Sequence, residues 1–320
     1  MQHPIKNSTS LMGFHLLSFF TRAKQEVTVF MLVLVMYLLA VLGNLIIAAL
    51  VCLVTQLHTP MYFFLCNLSA QDIVSVSTVL PKLLYITVTG DTSISFPGCI
   101  TQMFLFVFCI GTEFYLLTSM AYDRYVAICI PLRYTLIMNK WVCVVLATSS
   151  WFSGAVISLS FSLLMSKLSF CKVKDINHFF CDPETVLNLS CSDTTNVRIF
   201  TTMVGAFFGW GPFILILTSY ICIISTILKI RTSANKLKAF SSCSSHLMVV
   251  ILYYGTSLGM NMKPKSEHSH EIDNLLSILY IAVVPVLNPL VYSLRNKDVL
   301  KAMLNFQKNF LNCRIKPPIK

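Results

Sequence analysis

Charged residues are scarce in this chain of 320 residues. They make up 12% of the sequence, and acids are the rarer sign, with 13 Asp and Glu against 24 Lys and Arg. A soluble domain carries about 25% charged residues, so the shortage argues against a soluble fold. The basic residues are dispersed among predicted loops. That dispersal excludes the basic face of a nucleic-acid-binding protein, and no nucleic-acid partner is expected.

Catalytic signatures are missing as well. The sequence has no phosphate-binding Walker loop, no pair of histidines on one helical face and no Gly-x-Ser-x-Gly turn for a nucleophilic serine. We therefore expect no enzymatic activity. An internal repeat and an inverted pair of interrupted helices, which many transporters contain, are missing too.

Apolar residues are abundant, at 56% of the chain, and they lie in long runs. Runs of about 20 apolar residues are long enough to cross a bilayer as helices. Seven spans are predicted, at 27–54, 61–88, 98–129, 141–165, 197–230, 239–262 and 272–294. The expected fold class is therefore an all-α membrane protein, a bundle of seven transmembrane helices.

The chain divides into an N-terminal segment (1–26), a membrane domain (27–295) and a tail (296–320). The first span is too long for a cleaved signal peptide, so we expect it to remain as a membrane helix. Between 296 and 310, apolar residues recur at helical spacing among lysines. That pattern predicts a short amphipathic helix on the inner face, bound to anionic membrane lipids.

The distribution of basic residues predicts the orientation. Loops and tail on the side of the C-terminus hold 14 of the 24 basic residues. Basic residues favour the cytoplasmic side, so we expect an extracellular N-terminus and a cytoplasmic C-terminus. Asn7 begins an Asn-Ser-Thr triplet, which is a glycosylation acceptor if this end is external.

Four of the 12 cysteines lie on the predicted outer side. Cys99 begins the third span, and Cys171, Cys181 and Cys191 lie in the long loop 166–196. Four cysteines in an oxidising compartment allow three pairings, and spacing alone does not choose among them. His178, Cys181 and Asp182 are also ligand types for a metal, an alternative that a disulfide at Cys181 would remove.

Asp72 and Glu113 are carboxylic acids predicted well inside spans, with no Lys or Arg at matching depth. Both lie roughly 16 Å from the inner face, so they can meet between neighbouring helices. Two bare charges there are costly, so either both share a cation or at least one is protonated and hydrogen-bonded to the other acid or to Asn288. A transporter that uses the two acids as an ion path is the alternative function.

The end of the third span reads MAYDRYVAIC (120–129) and continues through Pro131-Leu132-Arg133-Tyr134. This stretch resembles the third-helix signature of the odorant receptors, a branch of the rhodopsin-like G-protein-coupled receptors. The resemblance covers nearly the whole chain. Lys263–Ser266, between the predicted sixth and seventh spans, resembles the corresponding loop of the tetrapod-type class. Matching motifs are Gly43–Asn44, LHTPMYFFLCNLSAQD (57–72), Ser219–Tyr220, KAFSSCSSHL (238–247) and PVLNPLVYSLRN (285–296), although Cys66 and Gln71 depart from the family pattern.

The resemblance implies a plasma-membrane receptor that binds a small, mostly apolar volatile odorant from outside and activates a stimulatory heterotrimeric G protein, raising cyclic AMP. A chemosensory receptor of the same family that is expressed elsewhere is an alternative. The residues to which the resemblance assigns switching or G-protein coupling are Asp123, Arg124, Tyr125, Tyr220, His246, Asn288, Pro289 and Tyr292.

The resemblance also selects among the open alternatives. It implies the bridges Cys99–Cys181 and Cys171–Cys191, and it favours a sodium ion at Asp72 and Glu113 over protonation. No other cofactor is expected.

A ligand pocket is expected between the outer halves of the third, fifth, sixth and seventh spans. No acid lies in the outer half of the third span, so we expect a neutral ligand and not an amine. Simple helix packing is the alternative for each lining residue. The expected lining is Phe106, Val107, Ile110, Gly111, Val204, Phe208, Tyr254, Ser257, Leu258 and Asn261.

Overall fold

A computed structural model describes residues 13–16, 23–170, 175–261, 269–294 and 299 of the chain. Asn7 and Cys171 lie outside these residues, and so does the predicted amphipathic helix at 296–310 apart from residue 299. The glycosylation site, the second disulfide and the inner-face helix therefore stay predictions.

Seven long helices form the bundle, and each overlaps one predicted span. They are α1 (Ala23–Leu53), α2 (Pro60–Thr89), α3 (Phe96–Cys129), α4 (Lys140–Ser166), α5 (Thr195–Val204, Gly205–Trp210 and Gly211–Lys229), α6 (Ser233–Asn261) and α7 (Ser269–Ile278, Leu279–Val283 and Val284–Leu294). The middle segments of α5 and α7 are π-helical. The predicted all-α, seven-helix class is confirmed.

By length and composition, six helices among the described residues can cross a membrane: α1 to α5 and α7. The other long helix, α6, contains the polar stretch KAFSSCSSH. It begins at Ser233, six residues before the predicted span at 239. Hydropathy marks the entry of a helix into the hydrocarbon region, whereas backbone hydrogen bonding continues beyond it, so the helix is longer than the predicted span.

Local sequence determines where the helices begin and end. Gly90 ends α2 with φ of +70°, a left-handed conformation that favours glycine. The Ser95 side chain accepts a hydrogen bond from the Gly98 backbone at the start of α3, and Asn139 caps α4 in the same way at Val142. These signals divide the apolar sequence into separate spans.

α3 packs very closely against α4. A Cβ atom added to Gly154 would collide with the Thr112 side chain and stand 2.8 Å from the carbonyl oxygen of Phe108. Trp151 of α4 donates a 2.9 Å hydrogen bond to Asn67 of α2. Small residues let helix backbones approach in lipid, so this contact holds α3 in the centre of the bundle.

A three-stranded sheet covers one end of the bundle. β1 (Gly13–Leu16) pairs antiparallel with β2 (Ser93–Ser95) and parallel with β3 (Asp175–Ile176). Phe14 on β1 is buried against the rings of Phe96 and Phe170, with centroids 6.2 and 5.3 Å away. The sheet and the adjoining ends of α2, α3 and α4 share a second apolar cluster, which includes Ile86, Met103 and Phe161.

Candidate functional site

The two buried acids lie in a polar network among α2, α3 and α7. Asn288 donates a 2.8 Å hydrogen bond from Nδ2 to Asp72 Oδ2. Gln71 donates to Glu113 Oε2 at 3.3 Å, and the Tyr280 hydroxyl donates to the same oxygen at 3.2 Å. Gln71 and Asp72 are neighbours on α2, so the two sets of hydrogen bonds lie next to each other. That the two acids share one cation stays a prediction.

The donor set of this network fits a cation. Five buried side-chain oxygens on α1, α2, α3 and α7 have no hydrogen-bond partner: Asn44 Oδ1, Gln71 Oε1, Asp72 Oδ1, Glu113 Oε1 and Asn288 Oδ1. Carboxylate and amide oxygens suit hard cations and not soft ones. Among the described residues, no group of three or more His, Cys, Asp or Glu side chains could hold a metal ion, so a cation here would rely on amide oxygens as well.

Asp123 is held by a hydrogen bond from a residue outside its helix. The Tyr134 hydroxyl donates to Asp123 Oδ1 at 2.8 Å, from a short helix at Tyr134–Ile137. Burial and the neighbouring Asp123 carboxylate raise the pKa of Tyr134, so this hydroxyl remains the donor. Asp123 itself is buried, and the adjacent Arg124 and Tyr125 are half-buried.

His246 joins three helices at the same end of the bundle. Its Nε2 lies 3.1 Å from the Leu117 carbonyl oxygen on α3, and its Nδ1 lies 2.7 Å from the Tyr220 hydroxyl on α5. A carbonyl oxygen only accepts, so Nε2 carries the proton. Because His246 is on α6, any outward movement of α6 must break the bond to Leu117.

α1 packs on α7 at Pro289. A Cβ added to Gly43 would stand 3.0 Å from Pro289 Cγ. Asn44 donates a 2.9 Å hydrogen bond to the carbonyl oxygen of Pro285. Pro289 supplies no backbone donor to its own helix, and Tyr292 is buried one turn further on. The asparagine thus joins α1 to the weakened part of α7.

Cys99 and Cys181 form a disulfide with a Cα–Cα distance of 5.5 Å, which joins α3 to the loop before α5. Cys191 is also disulfide-bonded. The Asp182 side chain caps the short helix Pro183–Asn188 through the Thr185 backbone. The disulfide removes the Cys181 thiolate, so the metal alternative at His178, Cys181 and Asp182 is wrong.

Aromatic rings surround the predicted pocket residues. Phe106 packs on Phe180 of the loop between α4 and α5, with ring centroids 4.9 Å apart. Tyr254 lies between Phe114 and Phe213, at 5.1 and 4.6 Å, and its buried hydroxyl has no hydrogen-bond partner. The Phe208 ring faces Tyr115 at 6.2 Å.

The other predicted pocket residues lie in several surroundings. Val107 packs against the apolar cluster below the sheet, whereas Ile110 packs against the main core. Val204, Ser257 and Leu258 are partly buried, and the side chain of Asn261 is outside the described part of the structure.

Gly111 requires a correction. A Cβ added there would stand 3.1 Å from Gly154 Cα, so a side chain at this position points to α4 and not to α5 or α6. Its small size serves the α3–α4 contact. We therefore remove Gly111 from the expected pocket lining.

A cavity of about 250 Å³ lies between α5 and α6, and we call it the lateral groove. Tyr254 and Leu258 line it, as two members of the predicted pocket. Its other walls were missed by sequence analysis, because periodic apolar residues do not show which helix surfaces leave a gap. They include Phe213, Leu217, Tyr220, Ile251 and Gly255.

Comparison with known proteins identifies the family. A model of the olfactory receptor family matches residues 33–309. Human olfactory receptor 1J4 is 46% identical over 298 residues, which cover 93% of this chain and 95% of the relative. Human olfactory receptor 1C1 is 43% identical over 310 residues, covering 97% and 98%, and gorilla olfactory receptor 1G1 is 44% identical over 298 residues, covering 93% and 95%.

This chain belongs to the olfactory receptor family. The predicted family is therefore confirmed, and the chain is a multi-pass G-protein-coupled receptor of the plasma membrane, not an enzyme. The predicted switch residues of this olfactory receptor lie in two hydrogen-bonded groups, Asp123 with Tyr134 and His246 with Tyr220 and α3.

The olfactory receptor also contains buried hydrogen bonds that sequence analysis missed. Gln71, Tyr253, Tyr280 and Tyr134 join the buried networks without being predicted to do so. Gln71 carried a signal, because it departs from the family motif beside Asp72. The tyrosines carried none, since their partners lie on other helices.

Proposed function

We propose that this receptor binds a small, neutral, mostly apolar volatile molecule and activates a stimulatory G protein that raises cyclic AMP. The observation that carries the ligand class is the unpaired, buried hydroxyl of Tyr254 between Phe114 and Phe213. An aromatic site with one free donor suits a hydrocarbon body with a single oxygen acceptor.

G-protein coupling through the end of the bundle near Arg124 is supported by two features. The loop between α3 and α4 exposes large apolar side chains, with Leu132 99% and Leu136 74% accessible. Exposed apolar residues of this size favour a protein partner. The hydrogen bonds of His246 to Leu117 and Tyr220 hold α6 against α3 and α5. If these bonds broke, α6 could move away and open a space next to Arg124.

The orientation belongs to the same proposal. The Cys99–Cys181 disulfide requires an oxidising compartment, which supports an extracellular position for the sheet and the loop before α5. The N-terminus is then extracellular, with Asn7 open to glycosylation, and the C-terminal segment 296–320 is cytoplasmic beside the lipid headgroups.

Sodium is the proposed ion at the two acids. Asp72 and Glu113 would hold it with the unpaired amide oxygens of Asn44, Gln71 and Asn288, and Ser69 is buried on the same helix as Asp72. A bound cation would supply the positive charge that two carboxylates in a bilayer require. It would favour the packing of α2, α3 and α7 described above, which we take to be the inactive arrangement.

A screen of neutral volatile compounds tests the function. Cells expressing the full chain should raise cyclic AMP with at least one compound, and Arg124→Ala should abolish the response at equal surface expression. Tyr122→Phe, an exposed position on the same helix, is the matched control. A full response from Arg124→Ala, or a cationic amine as the best agonist, would contradict the proposal. Ion flux without G-protein dependence would instead support the transporter.

A further inference from the structure

The lateral groove is open to the membrane. Its rim is formed by Leu217 on α5 and Ile251 on α6, which are 45% and 62% accessible in a helix bundle that a bilayer surrounds. Ile214 and Ile221, which flank Leu217 along α5, are also exposed. These apolar side chains form part of the surface that the receptor presents to lipid, so the groove is continuous with the interface between receptor and bilayer.

The groove presents only hydrocarbon to an occupant. Its side chains are aliphatic or aromatic, and Gly255 leaves a gap among them. The hydroxyl of Tyr220 lies 2.7 Å from His246 Nδ1, and the hydroxyl of Tyr254 is buried. A polar group would therefore find no hydrogen-bond partner in the groove, which disfavours any occupant except a hydrocarbon.

The groove is elongated along the helices. On α6 its lining extends from Leu247 to Leu258, a rise of roughly 16 Å, and on α5 from Phe213 to Tyr220, a rise of roughly 10 Å. Its volume of about 250 Å³ is spread over that length. A space of this shape suits one linear chain and not the fused rings of a sterol. Acyl chains of a bilayer run in the same direction as the helices that cross it.

The depth of the groove indicates the leaflet. Leu258 lies about 6 Å from the end of the predicted sixth span at 262, whereas Leu247 lies about 12 Å from its start at 239. α6 ends on the same side as α2 and α4, whose following loops hold β2 and β3. A chain from the leaflet on the side of the sheet would therefore extend from below its headgroup to past the middle of the ~30 Å hydrocarbon region.

We propose that the lateral groove binds one acyl chain of a phospholipid from the leaflet on the side of the sheet, with the methyl end of the chain near Leu247 and Tyr220. This lipid site is additional to the recognition of a volatile ligand and does not depend on the proposed function. The chain would pack between α5 and α6 beside Tyr220, so it favours the arrangement in which Tyr220 meets His246.

Two buried residues of the lining distinguish a chain in the groove from the surrounding lipid. Ile216 on α5 and Val250 on α6 line the groove, but they are only 1% and 4% accessible. Lipid that merely surrounds the bundle contacts the exposed Ile221 and cannot reach these two side chains. Contact between an acyl chain and Val250 or Ile216 therefore requires that the chain enter the groove.

Gly255 allows the groove to be filled by substitution. It lines the groove, and a Cβ added there meets no atom within 4 Å. A leucine at 255 should therefore occupy the space of the chain without a clash, and it favours a helix more than glycine does. Gly205 on α5 is a matched control, because a Cβ there also meets nothing within 4 Å and the residue lies outside the groove lining.

The experiment uses the full chain in nanodiscs of phosphatidylcholine that carries a diazirine near the methyl end of one acyl chain. After illumination, peptide mapping should find adducts on Val250 and Ile216 as well as on Ile221. Gly255→Leu should abolish the adducts on Val250 and Ile216 and keep those on Ile221, whereas Gly205→Leu should leave all three unchanged. Gly255→Ala adds a single methyl group; it serves if the leucine variant does not fold, and it should reduce the adducts on Val250.

A melting experiment provides a second measurement. Phosphatidylcholine added to the receptor in detergent should raise the melting temperature of the unmodified chain more than that of Gly255→Leu, because a ligand that binds only the folded state stabilises it. Gly205→Leu should respond like the unmodified chain. Equal shifts for all three would mean that lipid stabilises the receptor elsewhere, and the proposal would be wrong.

Three labelling results would also overturn the proposal. Adducts on Ile221 without any on Val250 or Ile216 would show that no chain enters the groove. Adducts that octan-1-ol or cholesterol displaces, while those on Ile221 persist, would identify a different occupant. A diazirine near the carboxyl end of the chain that labels Leu247 and not Leu258 would show that the chain enters from the opposite leaflet. Labelling needs no G protein or odorant, so the outcome is independent of whether the proposed function is correct.

Discussion

The Tyr134 hydroxyl donates a 2.8 Å hydrogen bond to the buried carboxylate of Asp123. The bond ties the loop after α3 to the residue that precedes Arg124, so loop position and the arginine's environment are coupled. A G protein that moves the loop would break the hydrogen bond to the Asp123 carboxylate. Removal of the Tyr134 hydroxyl would favour the same arrangement, in which the bond is absent.

Tyr134→Phe should therefore raise basal cyclic AMP. Loss of a hydrogen bond to a buried charged group costs roughly 1–3 kcal/mol. The loss destabilises only the arrangement described here, in which the bond is formed. The measurement is ligand-free cyclic AMP at matched surface expression, with Tyr122→Phe as the control. Basal signalling equal to that of the unmodified receptor would show that the bond does not hold the inactive state.

Tyr254→Phe should lower the potency of an oxygen-containing agonist by roughly 2- to 10-fold, the worth of one neutral hydrogen bond. Because the hydroxyl has no partner in the free receptor, its removal should not reduce thermal stability. Dose–response curves for an agonist and for a hydrocarbon of similar shape check this. Equal losses for both compounds would mean that the ring, and not the hydroxyl, is recognised.

Sodium should stabilise the purified receptor against heating, because a ligand that binds only the folded state adds RT ln(1 + [L]/Kd). The melting temperature in sodium chloride is compared with that in choline chloride. Basal signalling is measured in the same two salts, and sodium should reduce it. Asp72→Asn with Glu113→Gln should erase both effects. If the double variant keeps the sodium dependence, protonated carboxyls are the better account of the network.

Peptide mapping without reduction should recover Cys99 linked to Cys181 and Cys171 linked to Cys191. Loss of the first bridge through paired Cys99→Ser and Cys181→Ser substitutions should cost about 2–5 kcal/mol and reduce surface expression. Recovery of Cys171 joined to Cys99 would contradict both assignments.

Gly154→Ala should destabilise the bundle, because its Cβ would collide with Thr112 on α3. Overpacking of this kind costs about 1–3 kcal/mol. Thermal melting of the purified receptor measures the loss, and Gly205→Ala, where the added Cβ meets nothing within 4 Å, provides the control. Similar melting temperatures for the two variants would show that α3 and α4 adjust without cost.

The apolar runs predicted the membrane helices well, because a span must satisfy its backbone internally and be about 20 residues long. They could not predict which helix Gly111 faces, because a glycine is neither apolar nor polar enough to mark one side of a helix. The crossing of α3 and α4 decides it, since it brings Gly154 opposite Gly111. They also could not predict the π-helical segments at Gly205–Trp210 and Leu279–Val283. One extra residue in a turn leaves hydropathy unchanged.

The buried acids also show which contacts the sequence can and cannot predict. Depth along α2 and α3 predicted that Asp72 and Glu113 lie at one level, because rise per residue is fixed. Asn288, the donor to Asp72, could also be named from the sequence as a hydrogen-bonding side chain of α7. Tyr280, the donor to Glu113, could not be named, because the rotation of α7 about its own axis is set by packing and has no local sequence signal.

The three-stranded sheet has a consequence for biosynthesis. β1 precedes every described helix, but its partner β2 follows α2 and its partner β3 follows α4. The strand can therefore pair with β2 only after two helices have been inserted, and the sheet is complete only after four helices have been inserted in the correct orientation. Completion of the sheet thus reports correct threading of the first half of the chain, and quality control that detects an unpaired N-terminal strand would retain misinserted molecules before they reach the cell surface.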